Sequence, residues 1–172
     1  MQHGGPPHHS GPSLYSAEER KRRDESGWTL VQAILAPIQF LVFLFSLGCV
    51  LRYLATGAGH DLATWSVVAK TCLLYTIMVT GCLWEKAVFG RYLFAPAFYW
   101  EDVFSMLVLA LHTAYIASLV TGALDARQQM VLALAAYAAY LINALQFILK
   151  LRAARLDQAR RRSALGTAGA TA

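Results

Sequence analysis

The chain of 172 residues is 57% apolar and 15% charged, and its formal net charge is +5. Soluble domains average about 45–50% apolar and ~25% charged residues, so the composition argues against a soluble domain and indicates a single-domain membrane protein. The positive charge lies mainly at the two ends of the chain, which is typical of the cytoplasmic side of a membrane protein and does not indicate nucleic-acid binding.

Residues 1–27 form a polar N-terminal tail that we expect to be disordered to partly helical. Its first residues, MQHGGPPHHSGPS, lack the apolar run of a signal peptide, so the first membrane span is expected to act as its own insertion signal. The three cysteines, Cys49, Cys72 and Cys82, lie inside apolar segments and form no CxxC pair. This pattern indicates small packing residues and neither a disulfide framework nor a metal site.

Four apolar blocks follow, at about residues 28–54, 62–84, 103–124 and 129–149. Each is near the ~20 residues that a helix needs to cross a hydrocarbon layer ~30 Å thick. The blocks lack the alternation expected of barrel strands. The connections ATGAGHD and DAR are short, so neighbouring helices should be antiparallel. The sequence therefore predicts an all-α, integral membrane four-helix bundle in residues 28–149, followed by a basic tail at 150–172.

The distribution of lysine and arginine predicts the orientation of this bundle. If both tails and the 85–102 connection lie on one side, that side carries twelve cations, and the other side carries only Arg52 and Arg127. Because cytoplasmic loops of membrane proteins are enriched in Lys and Arg, both termini are predicted to be cytoplasmic.

Several polar residues interrupt the apolar blocks, and each needs a partner or a purpose within a membrane. Gln32, Gln39 and Ser46 are spaced seven residues apart, which places them on one stripe of the first helix. The stripe predicts either hydrogen bonds between helices or the lining of a ligand cavity. Lys70 lies inside the second block, and we expect its long side chain to extend to the membrane surface.

The third block carries a polar stripe that descends from its first residues. His112 lies eleven residues beyond Glu101, and eleven steps of ~100° return to nearly the same helix face, which Ser105 also shares. A rise of 1.5 Å per residue places His112 close to the middle of the membrane. A single buried histidine often has only a structural role, but a carboxyl on the same stripe raises the prospect of a functional one.

The stretch WEKAVFGRYLFAPAFYWED, residues 84–102, combines seven aromatic residues with five charged ones. Gly90 and Pro96 interrupt a continuous helix, so its middle is expected to form a re-entrant or interfacial segment. Acidic residues are favoured at a helix N-terminus, and Trp and Tyr suit a membrane interface. Together, however, the carboxyls, cations and rings on one membrane face predict a ligand site that includes Glu85, Lys86, Arg91, Glu101 and Asp102.

The segment WEKAVFGRYLFAPAFYWEDVFSMLVLALHTAY resembles the signature region of the 3-vinyl bacteriochlorophyllide hydratase family, as do LYSAEERKRRDESGWTLVQAILAPIQFLVFLFSLGCVLRYLATG and KTCLLYTIMVTG. The resemblance extends from about Leu14 to Arg155. It implies a hydro-lyase that adds water to the 3-vinyl group of chlorophyllide a, or of 3-vinyl bacteriochlorophyllide a, to give a 3-(1-hydroxyethyl) group. It also implies a bacterial inner membrane (cytoplasmic or intracytoplasmic photosynthetic), with other enzymes of pigment synthesis as possible neighbours.

This reaction needs an acid, a base that activates water and a flat apolar slot, with no cofactor beyond the magnesium that the substrate itself carries. One carboxyl can supply the proton while a neighbour in more polar surroundings stays ionised. We predict Glu101 as the acid and Glu85 or Asp102 as the base. Arg91 or Lys86 is expected to bind the propionate of the substrate. The other expected substrate contacts are Trp84, Tyr92, Tyr99, Trp100 and Gln39.

The sequence leaves two roles open for His112, ligation of the substrate's magnesium or proton relay to Glu101. It also leaves open a non-catalytic pigment carrier or assembly factor, although the paired carboxyls favour an enzyme. A small transporter or channel would suit Lys70 and the intramembrane amides, but the sequence shows neither internal repeats nor broken helices typical of transporters.

Overall fold

The computed structural model describes residues 14–170, which form five α-helices: α1 (Ala17–Glu25), α2 (Gly27–Thr56), α3 (His60–Phe89), α4 (Tyr99–Thr121) and α5 (Ala126–Ala170). Within that range there is no β-strand, so the all-α prediction is confirmed. The disorder predicted for the start of the N-terminal tail concerns residues 1–13, which lie outside the described range. The remainder of that tail includes α1.

Four helical segments are long and apolar enough to cross a membrane: Gly27–Thr56, His60–Phe89, Tyr99–Thr121 and Ala126–Leu156. In an apolar stretch of 18 residues within each segment, only 22–28% of the residues are buried inside the protein. Apolar side chains therefore cover the outside of the helices, as expected for a multi-pass membrane protein whose surroundings are lipid.

The helix ends follow from local sequence signals. Ser16 and Glu19 form a capping box at the start of α1, in which each side chain accepts a hydrogen bond from the backbone N–H of the other. Helix α3 continues five residues past the predicted limit of 84 and ends at Phe89. The next residue, Gly90, has a φ of 79°, which is readily adopted only by a residue without a Cβ atom.

The membrane helices pack mainly as two antiparallel pairs, α2 with α3 and α4 with α5. We call the end where α1, residues 90–98 and Lys150 lie the tail end, and the opposite end the far end. The far half has a continuous core of Phe43, Val50, Ala63, Val67, Tyr115, Met130, Ala133 and Tyr137. Ser46 of the predicted stripe lies in this half and bonds to Ser66 at 2.7 Å and to Tyr137 at 2.5 Å, so it connects helices.

The expectation that Lys70 extends to the membrane surface is wrong. Its side chain is fully buried, and its Nζ lies 3.9 Å from the centroid of the Tyr140 ring. Lys70 is on the face of α3 that packs inside the protein, about 15 Å from the start of the helix at His60. From this face the four-carbon stem points at α5 rather than along the helix towards water.

Candidate active site

An open cavity of about 880 Å³ occupies the tail half of the protein. This volume is near the upper end of the ~300–1,000 Å³ typical of small-molecule sites. Its wall on α2 extends from Thr29 to Phe40, about 16 Å along the helix axis. Most of the lining is apolar, with contributions from Ala33, Ala36, Leu74, Ile77, Met78, Ala144, Phe147 and Ile148. The cavity can therefore accept a large, predominantly apolar molecule.

Two carboxyl groups meet in the wall of this cavity. Glu85 near the end of α3 and Asp102 in the first turn of α4 both line it, and each is only 5% exposed. Their carboxyls are within hydrogen-bonding reach of one another. A hydrogen bond between two carboxyls requires a proton on one of them. Such a pair can share one proton between its two carboxyls at one point of an apolar wall.

The loop between α3 and α4 holds this pair in place through its backbone. The N–H of Phe94 donates to Asp102 Oδ2 at 2.7 Å, and the N–H of Ala95 donates to Glu85 Oε2 at 3.3 Å. Phe94 has φ 58°, a conformation that is unfavourable for a bulky residue and that often occurs where a site needs a particular backbone geometry. The segment predicted to be re-entrant or interfacial thus forms a short loop that orients both carboxyls.

Glu101, the predicted acid, lies beside the pair but outside the cavity wall. It is buried, and Lys150 Nζ of α5 donates to its Oε2 at 2.6 Å. The same ammonium lies 4.9 Å from the centroid of the Phe98 ring. This geometry indicates a fixed ion pair that joins α4 to α5, and the catalytic role of Glu101 stays a prediction.

The cations on the cavity wall are not those predicted from the sequence. Lys86 is exposed and donates to the carbonyl oxygen of Gly90 at 3.0 Å, and Arg91 is also exposed; neither lines the cavity. Three arginines from the two tails line it instead: Arg20, Arg23 and Arg155.

Two of these arginines, Arg20 and Arg23, contact Tyr15. Arg20 donates to the Tyr15 carbonyl oxygen at 3.2 and 3.3 Å, and the Arg23 guanidinium lies 4.8 Å from the centroid of the Tyr15 ring. Burial raises the pKa of the Tyr15 hydroxyl, so it stays neutral and does not cancel their positive charge. Asp24 pairs with Arg23 at 2.7 Å and offsets part of this charge, so the positive charge at the tail end of the cavity comes mainly from Arg20 and Arg155.

The aromatic residues of the 84–102 stretch fall into two groups. Trp84 lines the cavity, donates through Nε1 to Thr29 Oγ1 at 3.0 Å, and contacts Phe98 edge to face, with 5.7 Å between ring centroids. The other three predicted substrate contacts are largely exposed and do not line the cavity: Tyr92, Tyr99 and Trp100. Exposed Tyr and Trp side chains at this position on the protein surface are typical of an interfacial aromatic belt.

The predicted polar stripe of α4 contacts α5 more than the cavity. Ser105 lines the cavity and accepts a hydrogen bond from Asn143 at 2.9 Å. His112 is fully buried outside the lining, where its Nδ1 donates to the Val108 carbonyl oxygen at 2.8 Å, and its Nε2 has no hydrogen-bond partner among the described residues. On α2, Gln39 does line the cavity, and its Oε1 likewise has no partner in residues 14–170.

The sequence offered one signal for the tail arginines. Arg20 and Arg23 lie in LYSAEERKRRDESG, at one limit of the segment that resembles a known family, and Arg155 lies at the other limit. The sequence positions of these arginines predicted only the membrane orientation, and they did not predict that the three line one cavity.

Comparisons with known proteins identify the family of the chain. The family model of 2-vinyl bacteriochlorophyllide hydratase matches residues 15–153. A protein of Rhodobacter capsulatus named 2-vinyl bacteriochlorophyllide hydratase is 63% identical over 154 residues, which cover 90% of each chain. A protein of the same name from Cereibacter sphaeroides is 67% identical over 144 residues, covering 84% of this chain and 89% of that one. No solved structure matches.

The matched region includes every residue of the carboxyl pair, the α3–α4 loop and two of the three arginines on the cavity wall, Arg20 and Arg23. The chain belongs to the 2-vinyl bacteriochlorophyllide hydratase family.

Proposed function

We propose that this chain adds water to the vinyl group of chlorophyllide a or 3-vinyl bacteriochlorophyllide a inside the cavity of the tail half. Hydratase activity in bacteriochlorophyll synthesis, which is hydro-lyase chemistry, follows from family membership at 63–67% identity. The observation that supports the location is the pair of buried carboxyls, Glu85 and Asp102, in the wall of a large apolar cavity.

The proposed mechanism uses one carboxyl as acid and the other as base. The protonated member donates its proton to the terminal vinyl carbon, which leaves a cation on the inner carbon that is delocalised into the macrocycle. Water attacks this carbon, and the ionised member accepts the proton that the water loses. One proton is given and one is recovered, so the pair returns to its starting state and no redox cofactor is required. The magnesium belongs to the substrate.

We further propose that the arginines at the tail end bind the propionate of the substrate. Arginine forms strong, often bidentate hydrogen bonds with carboxylates. A planar macrocycle whose propionate contacts Arg23 and Arg155 would extend into the apolar part of the cavity, with Trp84 and Phe147 among the side chains against it. This arrangement presents the edge of the ring to Glu85 and Asp102.

Replacing Arg23 and Arg155 together with Gln is expected to raise KM for chlorophyllide a by about 10–100-fold, because charge-assisted hydrogen bonds contribute ~1.5–3 kcal/mol. Steady-state hydration assays measure this change. The matched control is Arg91→Gln, which should leave KM unchanged because Arg91 lies outside the cavity. A second control is a substrate with the propionate esterified, for which wild type and variant should have equal KM. If Arg91→Gln raised KM while the double variant of Arg23 and Arg155 did not, the proposal that Arg23 and Arg155 bind the propionate would be contradicted.

We also propose that the four spans form a membrane bundle with both termini in the cytoplasm of a photosynthetic bacterium. The bias of twelve cations to two supports this orientation. A cysteine introduced at Ala58, in the turn between α2 and α3, should react with a membrane-impermeant maleimide added to intact cells. A cysteine at Ala17 should react only after the membrane is opened. The reverse pattern would contradict the orientation.

The decisive test of the function is a reaction in ¹⁸O-labelled water. Membranes containing the protein are incubated with chlorophyllide a, and the pigment is followed by absorbance and mass spectrometry. The expected product carries one labelled hydroxyethyl group. Tight binding of unchanged pigment would instead indicate a carrier and would overturn the proposal.

A further inference from the structure

Polar groups that the proposed chemistry does not use lie at or beside the inner end of the cavity, which is the end away from the tail arginines. On α3, the cavity is lined by Leu74, Ile77, Met78, Gly81, Cys82 and Glu85, which follow one face of the helix. Lys70 is the next residue on this face, one turn beyond Leu74. Its neighbour Tyr140 lines the cavity, so the Lys70 ammonium adjoins the end of the cavity opposite the tail arginines.

Three polar atoms at or beside this inner end have no hydrogen-bond partner among the described residues: Lys70 Nζ, Gln39 Oε1 and His112 Nε2. The Lys70 side chain is also fully buried. A contact with the Tyr140 ring face leaves further N–H donors of the ammonium unused.

Unpaired buried polar groups are costly, and an ionisable group inside a membrane is typically part of a functional site. At this inner end Lys70 supplies an unpaired N–H donor, whereas the unpaired atoms of Gln39 and His112, Oε1 and Nε2, are acceptors. The long flexible stem of Lys70 can bring the ammonium from the ring face to a ligand. The ligand group that this donor fits is a hydrogen-bond acceptor on the inner edge of an apolar, planar molecule.

We propose that Lys70 donates a hydrogen bond to a carbonyl oxygen of the bound pigment. This inference rests on the proposed function, because it takes a chlorophyllide as the occupant of the cavity. In a chlorophyllide, the ketone of the fifth ring lies diagonally opposite the ring that carries the vinyl group. If the vinyl group is at Glu85 and Asp102, the ketone points towards the inner end of the cavity, beside Lys70. Lys70 is then a positioning and specificity-determining residue.

The test compares chlorophyllide a with an analogue in which the ketone is replaced by a methylene group. Wild-type protein is expected to bind the ketone pigment about 10–100-fold more tightly, because a donor that loses its acceptor stays unpaired. Lys70→Met has a similar shape without the donor and should bind both pigments equally. The control Lys86→Met, on the exposed end of the same helix, should keep the wild-type preference.

A vibrational measurement provides an independent readout that a purely structural role would not change. The ketone stretching frequency of bound chlorophyllide a should be lower than that of the free ketone in wild type, and it should return to the free value in Lys70→Met. A free-ketone frequency in the wild-type complex overturns the proposal, even if Lys70→Met fails to fold. Wild-type protein that shows the ketone preference but forms no labelled alcohol would overturn the hydratase function and leave this subsite intact.

Discussion

Replacing Glu85 with Gln, or Asp102 with Asn, is expected to reduce the rate of vinyl hydration by about 10²–10⁴-fold while pigment binding is retained. General acid–base catalysis contributes a factor of this size. The amide keeps the size of the side chain and can still hydrogen-bond to the partner carboxyl, but it supplies no exchangeable acidic proton and accepts none from water. The measurement is kcat from the absorbance change of chlorophyllide a, together with Kd for the pigment.

The matched controls are carboxyls outside the site. Asp125→Asn, in the exposed turn before α5, should hydrate the pigment at the wild-type rate. Glu101→Gln, measured where the protein remains folded, separates the two hypotheses for the acid: the cavity geometry predicts a smaller loss than for Glu85→Gln. Wild-type rates in both Glu85→Gln and Asp102→Asn would show that the pair is not the acid and base.

Replacing Lys150 with Met is expected to lower the free energy of unfolding by about 3 kcal/mol, because it leaves the Glu101 carboxylate buried without its partner. The contact is short, at 2.6 Å, and the Glu101 side chain is only 9% exposed. This estimate takes the lower end of the range for broken buried pairs, because the Lys150 side chain is 26% exposed. Unfolding by titration with a denaturing detergent measures the change.

A double-mutant cycle distinguishes loss of the ion pair from loss of packing. Combining Lys150→Met with Glu101→Gln removes the stranded charge and should recover much of the stability lost in the single variant. Lys150→Arg keeps the positive charge and should be close to wild type. If Lys150→Met unfolds like Lys150→Arg, the pair does not stabilise the contact of α4 with α5.

The comparison of sequence with structure is clearest at the 84–102 stretch. Its charges and rings predict a ligand site, and the wall of the cavity includes Glu85, Asp102 and Trp84 from this stretch. The stretch could not be divided into cavity-lining and outward-facing residues from its sequence. That division depends on the φ of 58° at Phe94, which lets the backbone N–H groups bind both carboxyls.

The stripe on α2 shows the same limit. Spacing by seven residues placed Gln32, Gln39 and Ser46 on one face, but the three have different surroundings. Gln32 donates to Thr80 at 2.7 Å and Gln39 faces the cavity, whereas Ser46 bonds to Ser66 in the far half. Periodicity determines which face a residue shares, and the neighbouring helices determine what that face meets.

The sequence by itself determined the helical class, the four apolar spans and the family, because span length, apolar composition and long motifs are properties of the chain alone. Only the tertiary structure decided which charges meet. Arg155 is more than a hundred residues from Arg20 and Arg23 in the sequence, yet all three line one cavity. Glu101 pairs with Lys150, and Glu85 pairs with Asp102, because the α3–α4 loop and the packing of α4 on α5 turn adjacent carboxyls towards different partners.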